Sequence, residues 1–119
     1  MDRRAVEDLF KPIGAVTIKR MFGGLGIYSD GLVFAIEAGG EIYLKTDSEN
    51  LPQFEAYGLR PFSFESKRGT TVTSYRLLPE EAHEDEVALR HWCGLALGAA
   101  KRAAAGKVKK KRRGKDDPP

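Results

Sequence analysis

The residues most able to do chemistry lie in a glycine-rich segment, around two histidines and a lone cysteine, and in a basic run near the C-terminus. Phe22-Gly-Gly-Leu-Gly26 invites comparison with a phosphate cradle. A cradle of that kind needs a following Gly-Lys-Ser/Thr and a helix whose N-terminus points at the anion. Neither follows here, and the flanking residues alternate as strands do, so the segment reads as a glycine bend with close backbone packing. His91 and Cys93 have the side chains of a thiol–imidazole pair, but residues two apart on a helix point about 200° away from each other. Cys93 therefore reads as a small packing residue beside Trp92. His83 sits among Glu80, Glu81, Glu84 and Asp85, which a solvated acidic turn explains without a metal. No catalytic, cofactor or metal residues are assigned. If the domain bound a small ligand or worked as an enzyme, Lys45, Glu65, Tyr75 and Arg76 would line a pocket between sheet and long helix.

The strongest electrostatic signal is Lys107, Lys109, Lys110, Lys111, Arg112, Arg113 and Lys115, assigned here as a nucleic-acid-binding tail. If six or seven of these charges neutralised phosphates, the log–log salt slope would be about −5 to −6, with micromolar or weaker non-specific affinity. A merely solubilising tail has the same composition. An anionic membrane is a poorer fit, because no apolar face accompanies the charges.

Charge is unevenly divided. The 119 residues carry 20 Lys+Arg and 17 Asp+Glu, a net charge of +3. Nine of the basic side chains and two of the acids fall within residues 101–119, leaving 11 basic and 15 acidic residues in the first hundred. The body is thus at −4 and the tail at +7. An acidic body argues against a globular surface built as a nucleic-acid platform. No run approaches the ~18 apolar residues of a membrane span, and Met1 to Phe10 lacks a signal-peptide hydrophobic stretch. With one cysteine there is no internal disulfide. The expectation is a small cytoplasmic domain over 1–103 with a basic, flexible tail over 104–119.

The elements that would position these residues follow from period and punctuation. Val6, Leu9 and Phe10, with Ala5, form one helical stripe behind Asp2 as cap, and Lys11-Pro12 ends it. Alternation from Val16 to Phe22 predicts a strand. Leu25–Ser29 and Leu32–Ala38 flank Asp30-Gly31, a strong type I′ hairpin signal, and Gly39-Gly40 leads into a strand over Glu41–Thr46. Asp47 or Ser48 is expected to cap a short helix that Gly58 ends. A second hairpin follows over Pro61–Glu65 and Thr71–Leu77, and a long helix is expected to open at Pro79. The fold class is α+β: an antiparallel sheet of about five to six strands, packed by an N-terminal helix, a short middle helix and a long C-terminal helix. Of the strand aromatics Tyr28, Phe34, Tyr43, Phe62, Phe64 and Tyr75, most read as core or cross-strand pairs and the remainder as a self-association surface.

Lys19-Arg-Met-Phe-Gly-Gly-Leu-Gly-Ile-Tyr28, then Asp30-Gly31, Phe34-Ala35 and Ile42-Tyr-Leu-Lys45, resembles the N-terminal domain of the TfoX/Sxy family. The likeness continues at Phe54, Gly58, Pro61-Phe62, Ser74-Tyr75, Pro79-Glu80-Glu81 and Trp92. It implies an α+β domain that self-associates as a homodimer or binds a protein partner in transcription regulation, in the setting of bacterial competence. It brings no catalytic residues. Longer members add a helical C-terminal domain, where this sequence has the short basic tail. The expected function is therefore a non-enzymatic regulatory or adaptor domain with weak non-specific nucleic-acid contact through the tail. The other readings are the ligand pocket above and a purely structural interaction module.

Overall fold

A computed structural model describes residues 1–21 and 23–116, with side chains as far as residue 106. Asp2 accepts a hydrogen bond from the Ala5 amide at 2.8 Å, and α1 runs Arg3–Phe10 before a single 3-10 turn over Lys11–Ile13. Six strands follow with one helix between them: β1 (Thr17–Met21), β2 (Gly24–Ser29), β3 (Leu32–Ala38), β4 (Glu41–Lys45), α2 (Leu51–Ala56), β5 (Pro61–Ser66) and β6 (Gly69–Leu77). They form one antiparallel sheet in the order β1-β2-β3-β4-β6-β5. The β2–β3 turn has φ of 50° at Asp30 and 78° at Gly31, which is what a type I′ hairpin demands of its two central residues. α2 ends as expected, with the amides of Gly58 and Leu59 donating to the carbonyls of Glu55 and Phe54.

Both later helix starts differ from the sequence reading. Asp47 does not cap α2 itself. Its Oδ1 accepts from the Glu49 and Asn50 amides, closing a turn one step earlier, and α2 begins at Leu51 with Pro52 in its first turn. Pro79 opens only a 3-10 turn over Glu80–His83. The long helix, α3, spans Glu86–Asp116, with Asp85 Oδ1 accepting from the Val87 and Ala88 amides. An Asx side chain can satisfy the orphan amides of a helix start, whereas proline can only tolerate the position. α3 runs on past residue 103, although its last core residue is Ala100.

The helices lie on one side of the sheet. Val6 and Phe10 of α1, Phe54 of α2, and Leu89, Trp92, Cys93, Ala96 and Ala100 of α3 share a core with Ile18, Ile27, Phe34, Ala35, Ile42 and Leu44. Phe34 meets Phe10 edge-on at 5.6 Å, and Trp92 meets Phe54 at 5.0 Å. Burying each large side chain of this set stabilises the fold by about 1.5–3 kcal/mol. β3 supplies two consecutive residues because its pairing with β2 shifts register: Ile27 faces Ala35 while Tyr28 faces Val33. The extra residue is Phe34, and the bulge lets Phe34 and Ala35 both enter the core. Among the described residues, no helix is long and apolar enough to cross a membrane.

Candidate functional site: the open face of the sheet

Strand alternation puts the side chains between the core residues on the opposite face, outside the cluster that the helices share, and among the described residues α3 reaches it only where Ala100, Ala103 and Ala104 border Tyr28, Val33 and Lys45. Lys19 and Met21 come from β1, Gly26 and Tyr28 from β2, and Val33 and Ile36 from β3. β4 adds Glu41, Tyr43 and Lys45, β6 adds Tyr75, and β5 adds Phe62 and Phe64. Ile36 and Tyr43 are only 3% and 7% exposed, yet neither belongs to the core under the helices. Their neighbours on the open face cover them: Phe62 lies 5.1 Å from the Tyr43 ring, and Phe64 lies 6.1 Å from Phe62. The absent side chain of Gly26 leaves room that Met21 and Tyr28 fill, since a Cβ there would stand 3.0 Å from Met21 Cε and 3.1 Å from Tyr28 Cε1.

Polar groups on this face are attached to its rings. Lys19 Nζ sits 5.2 Å over Tyr28, and Lys45 Nζ sits 5.9 Å over Tyr75, its cross-strand partner. Burial, and then the neighbouring Tyr28, push the Tyr75 hydroxyl above the ordinary tyrosine range. The Tyr43 hydroxyl donates to Glu41 at 3.0 Å, and Arg60 pairs with the same carboxylate. Burial, followed by that carboxylate, raises Tyr43 as well. Among the described acids, Glu41 is the one at an open-face strand position; the others lie on helices, in turns or at strand positions facing the helices. The acidic excess of the body therefore lies mostly off the open face, whose strand positions carry Lys19 and Lys45 against Glu41.

The pocket expected between sheet and long helix survives only as a 240 Å³ cleft, bordered by Tyr28, Val33, Lys45, Ala100 and Ala104. Of the four side chains proposed for it, Lys45 and Tyr75 come together, but the other two do not join them. Glu65 accepts from Thr70 Oγ1 at 2.6 Å, and Arg76 points to the helix side, donating to the Leu59 carbonyl at 3.0 Å. A larger cleft of about 660 Å³ lies at the start of α1, with Arg3, Arg20, Met21, Leu25 and Glu37 among its walls. Glu37, 6% exposed, is held there by the Gly40 amide at 3.0 Å and the Met1 ammonium at 3.4 Å.

The other motifs resolve as packing. The glycine segment is the β1–β2 connection; Phe22 itself lies outside the described residues, and Gly24 presses on β3, where a Cβ would fall 1.9 Å from the Glu37 carbonyl oxygen. His91 is exposed with its ring against Trp92 at 5.3 Å, while Cys93 is fully buried and its thiol is pushed up to about 12 by burial. The two never meet as nucleophile and base. Lys107, Lys109, Lys110, Lys111, Arg112, Arg113 and Lys115 lie on the last turns of α3, and their side chains fall outside the described residues.

Sequence reasoning gave part of the strand aromatics to a self-association surface but did not gather them with Val33 and Ile36 on one face, although a signal was present. Leu32 to Ile36 and Ile42 to Leu44 are unbroken apolar or aromatic runs rather than alternating ones, and such runs mark strands buried on both sides.

With the fold and face established, the TfoX N-terminal domain family matches residues 8–100. The chain belongs to the TfoX N-terminal domain family. The match begins inside α1 and ends at Ala100, the last residue of α3 that enters the core, so it covers the whole sheet, α2 and the core-forming part of α3, but only the end of α1. The TfoX N-terminal domain family is not a known family of enzymes. No curated protein matches the chain.

Proposed function

We propose that this chain is a non-enzymatic regulatory or adaptor domain that acts by binding protein, either a second copy of itself or another partner, through the open face of its sheet. The TfoX resemblance supplies the context: transcription regulation for competence in the bacterial cytoplasm. The basic run from Lys107 to Lys115 adds weak, sequence-independent contact with nucleic acid. The observation supporting this reading is the apolar and aromatic sheet face that lies outside the core the described helices share, bordered by α3 only at its Tyr28–Val33–Lys45 corner. Monomeric proteins rarely leave contiguous apolar patches above a few hundred Å² in water.

Two variants separate the two activities. Cutting after Gly106 leaves every core residue in place and is expected to abolish DNA retention without altering fold or assembly. Val33→Asp, on the open face, is expected to abolish assembly while DNA retention persists. Equal DNA binding by the truncated chain, with little salt dependence, would overturn the role of the tail. Unaltered assembly of Val33→Asp would overturn the role of the face.

A further inference from the structure

We infer that the open face pairs with the open face of a second copy, as an isologous dimer in which the two β4 strands cross antiparallel at Tyr43. The inference rests on the self-association reading above and names its surface and geometry.

The first support is the strand pattern. β3 and β4 carry apolar side chains on both faces, with Phe34, Ala35, Ile42 and Leu44 under the helices and Val33, Ile36 and Tyr43 on the other side. Short continuous apolar runs are what a strand in the core of a sandwich carries. The chain supplies one covering layer, and a second sheet would supply the other in the aligned sandwich packing of two sheets about 10 Å apart.

Size is the second. Six strands about 4.8 Å apart and some five residues long make a face of about 500 Å², so with the rim left in water two copies bury somewhat under about 1,000 Å² together. That is the size of a weak, reversible dimer rather than an obligate one.

Charge chooses the occupant and its direction. Glu41 and Lys45 stand on the open face at opposite ends of β4, with Tyr43 midway. A two-fold axis through Tyr43 and across the strands lays Glu41 over Lys45 of the second copy and Lys45 over its Glu41. An axis along the strands would put like charges over each other, which is unfavourable. Arg60 and Tyr43 Oη hold the Glu41 carboxylate in position, and a carboxylate has lone pairs for a further donor. Lys19 lies on the edge strand β1, where the twist of stacked sheets leaves the rim in water.

Sedimentation equilibrium on the full chain, on Lys45→Glu, on Glu41→Lys and on their equimolar mixture tests the geometry. The unsubstituted chain is expected to be a dimer. Each variant alone places like charges across the axis and is expected to weaken the dimer by about a hundredfold. Mixed, the two restore both opposite-charge pairs and are expected to form a heterodimer. An unsubstituted chain that stays monomeric overturns the self-association reading and the inference with it. A dimer that both variants leave intact, or a mixture that fails to associate, overturns this surface alone. If either variant does not fold, dilution of the unsubstituted chain followed by NMR keeps the question decidable. Shifts confined to Tyr28, Val33, Tyr43, Lys45 and Tyr75 support the inference, and shifts centred on α3 overturn it. Oligonucleotide binding that Lys45→Glu abolishes in a monomeric unsubstituted chain would assign the face to nucleic acid instead, and would also overturn it.

Discussion

Arg102, two residues beyond the last core residue of the long helix, holds both carboxylate oxygens of Asp47, with Nε 2.5 Å from Oδ2 and Nη2 3.0 Å from Oδ1. Glu49 joins the same guanidinium, so α3 is fastened to the loop that leaves β4. The bond from Arg102, followed by the amides of Asn50 and Glu49, keeps the Asp47 carboxyl below its ordinary range. A depressed carboxylate stabilises the fold above its unfolded pKa of about 3.9, and the contribution fades as pH falls through the folded value. Arg102→Ala is expected to return Asp47 toward the ordinary range. Stability should then depend less on pH below about 4, read from urea midpoints across that window.

Asn50 is the buried counterpart of this clip. It is 3% exposed, and its Nδ2 donates to the carbonyls of Lys45 at 3.2 Å and Leu95 at 2.9 Å while its Oδ1 accepts from the Asp47 amide. Asn50→Ala removes these three hydrogen bonds from a buried site, so a loss of about 1–3 kcal/mol is expected in chemical denaturation.

Gly24 and Gly26 should respond differently to alanine. At Gly24 the new methyl meets the Glu37 backbone carbonyl at 1.9 Å, which only a shift of β2 against β3 can relieve. At Gly26 it meets the tip of Met21 at 3.0 Å, and a methionine can move. Gly24→Ala is expected to cost about 3 kcal/mol or more, and Gly26→Ala nearer 1, compared by thermal or urea melts.

Cys93 should be silent in the native protein. Its thiol is fully buried and pushed up to about 12, so almost no thiolate exists at pH 8. A thiol-specific reagent is expected to label it only as fast as the protein opens, with immediate reaction in denaturant. Rapid labelling of the folded chain would contradict the packing described here.

Local chemistry was legible in the sequence, and relations between distant segments were not. Asp30-Gly31 announces its hairpin because positive φ at two successive positions is a demand that few residue pairs meet. Asp2 and Gly58 show their helix ends for the same kind of local reason. The start of α3 was misread because Pro79-Glu-Glu and Asp85-Glu-Val both look like openings, and only packing chooses between them. Phe34 as a bulge residue and Arg102 as the partner of Asp47 depend on register and on a helix returning across the sheet. The open face lay between these cases. Its apolar runs were visible, but total charge obscured it, because all but one of the acids counted against it lie away from its strand positions.

That all helices share one side of the sheet has an evolutionary corollary. Along β4, Ile42 and Leu44 answer to folding, while Glu41, Tyr43 and Lys45 answer to whatever lands on the outer surface. Substitutions at alternate positions of one strand are thus subject to separate selective pressures. Exchanging Glu41 or Lys45 is therefore expected to alter the outer surface while the packing of Ile42 and Leu44 stays as it is.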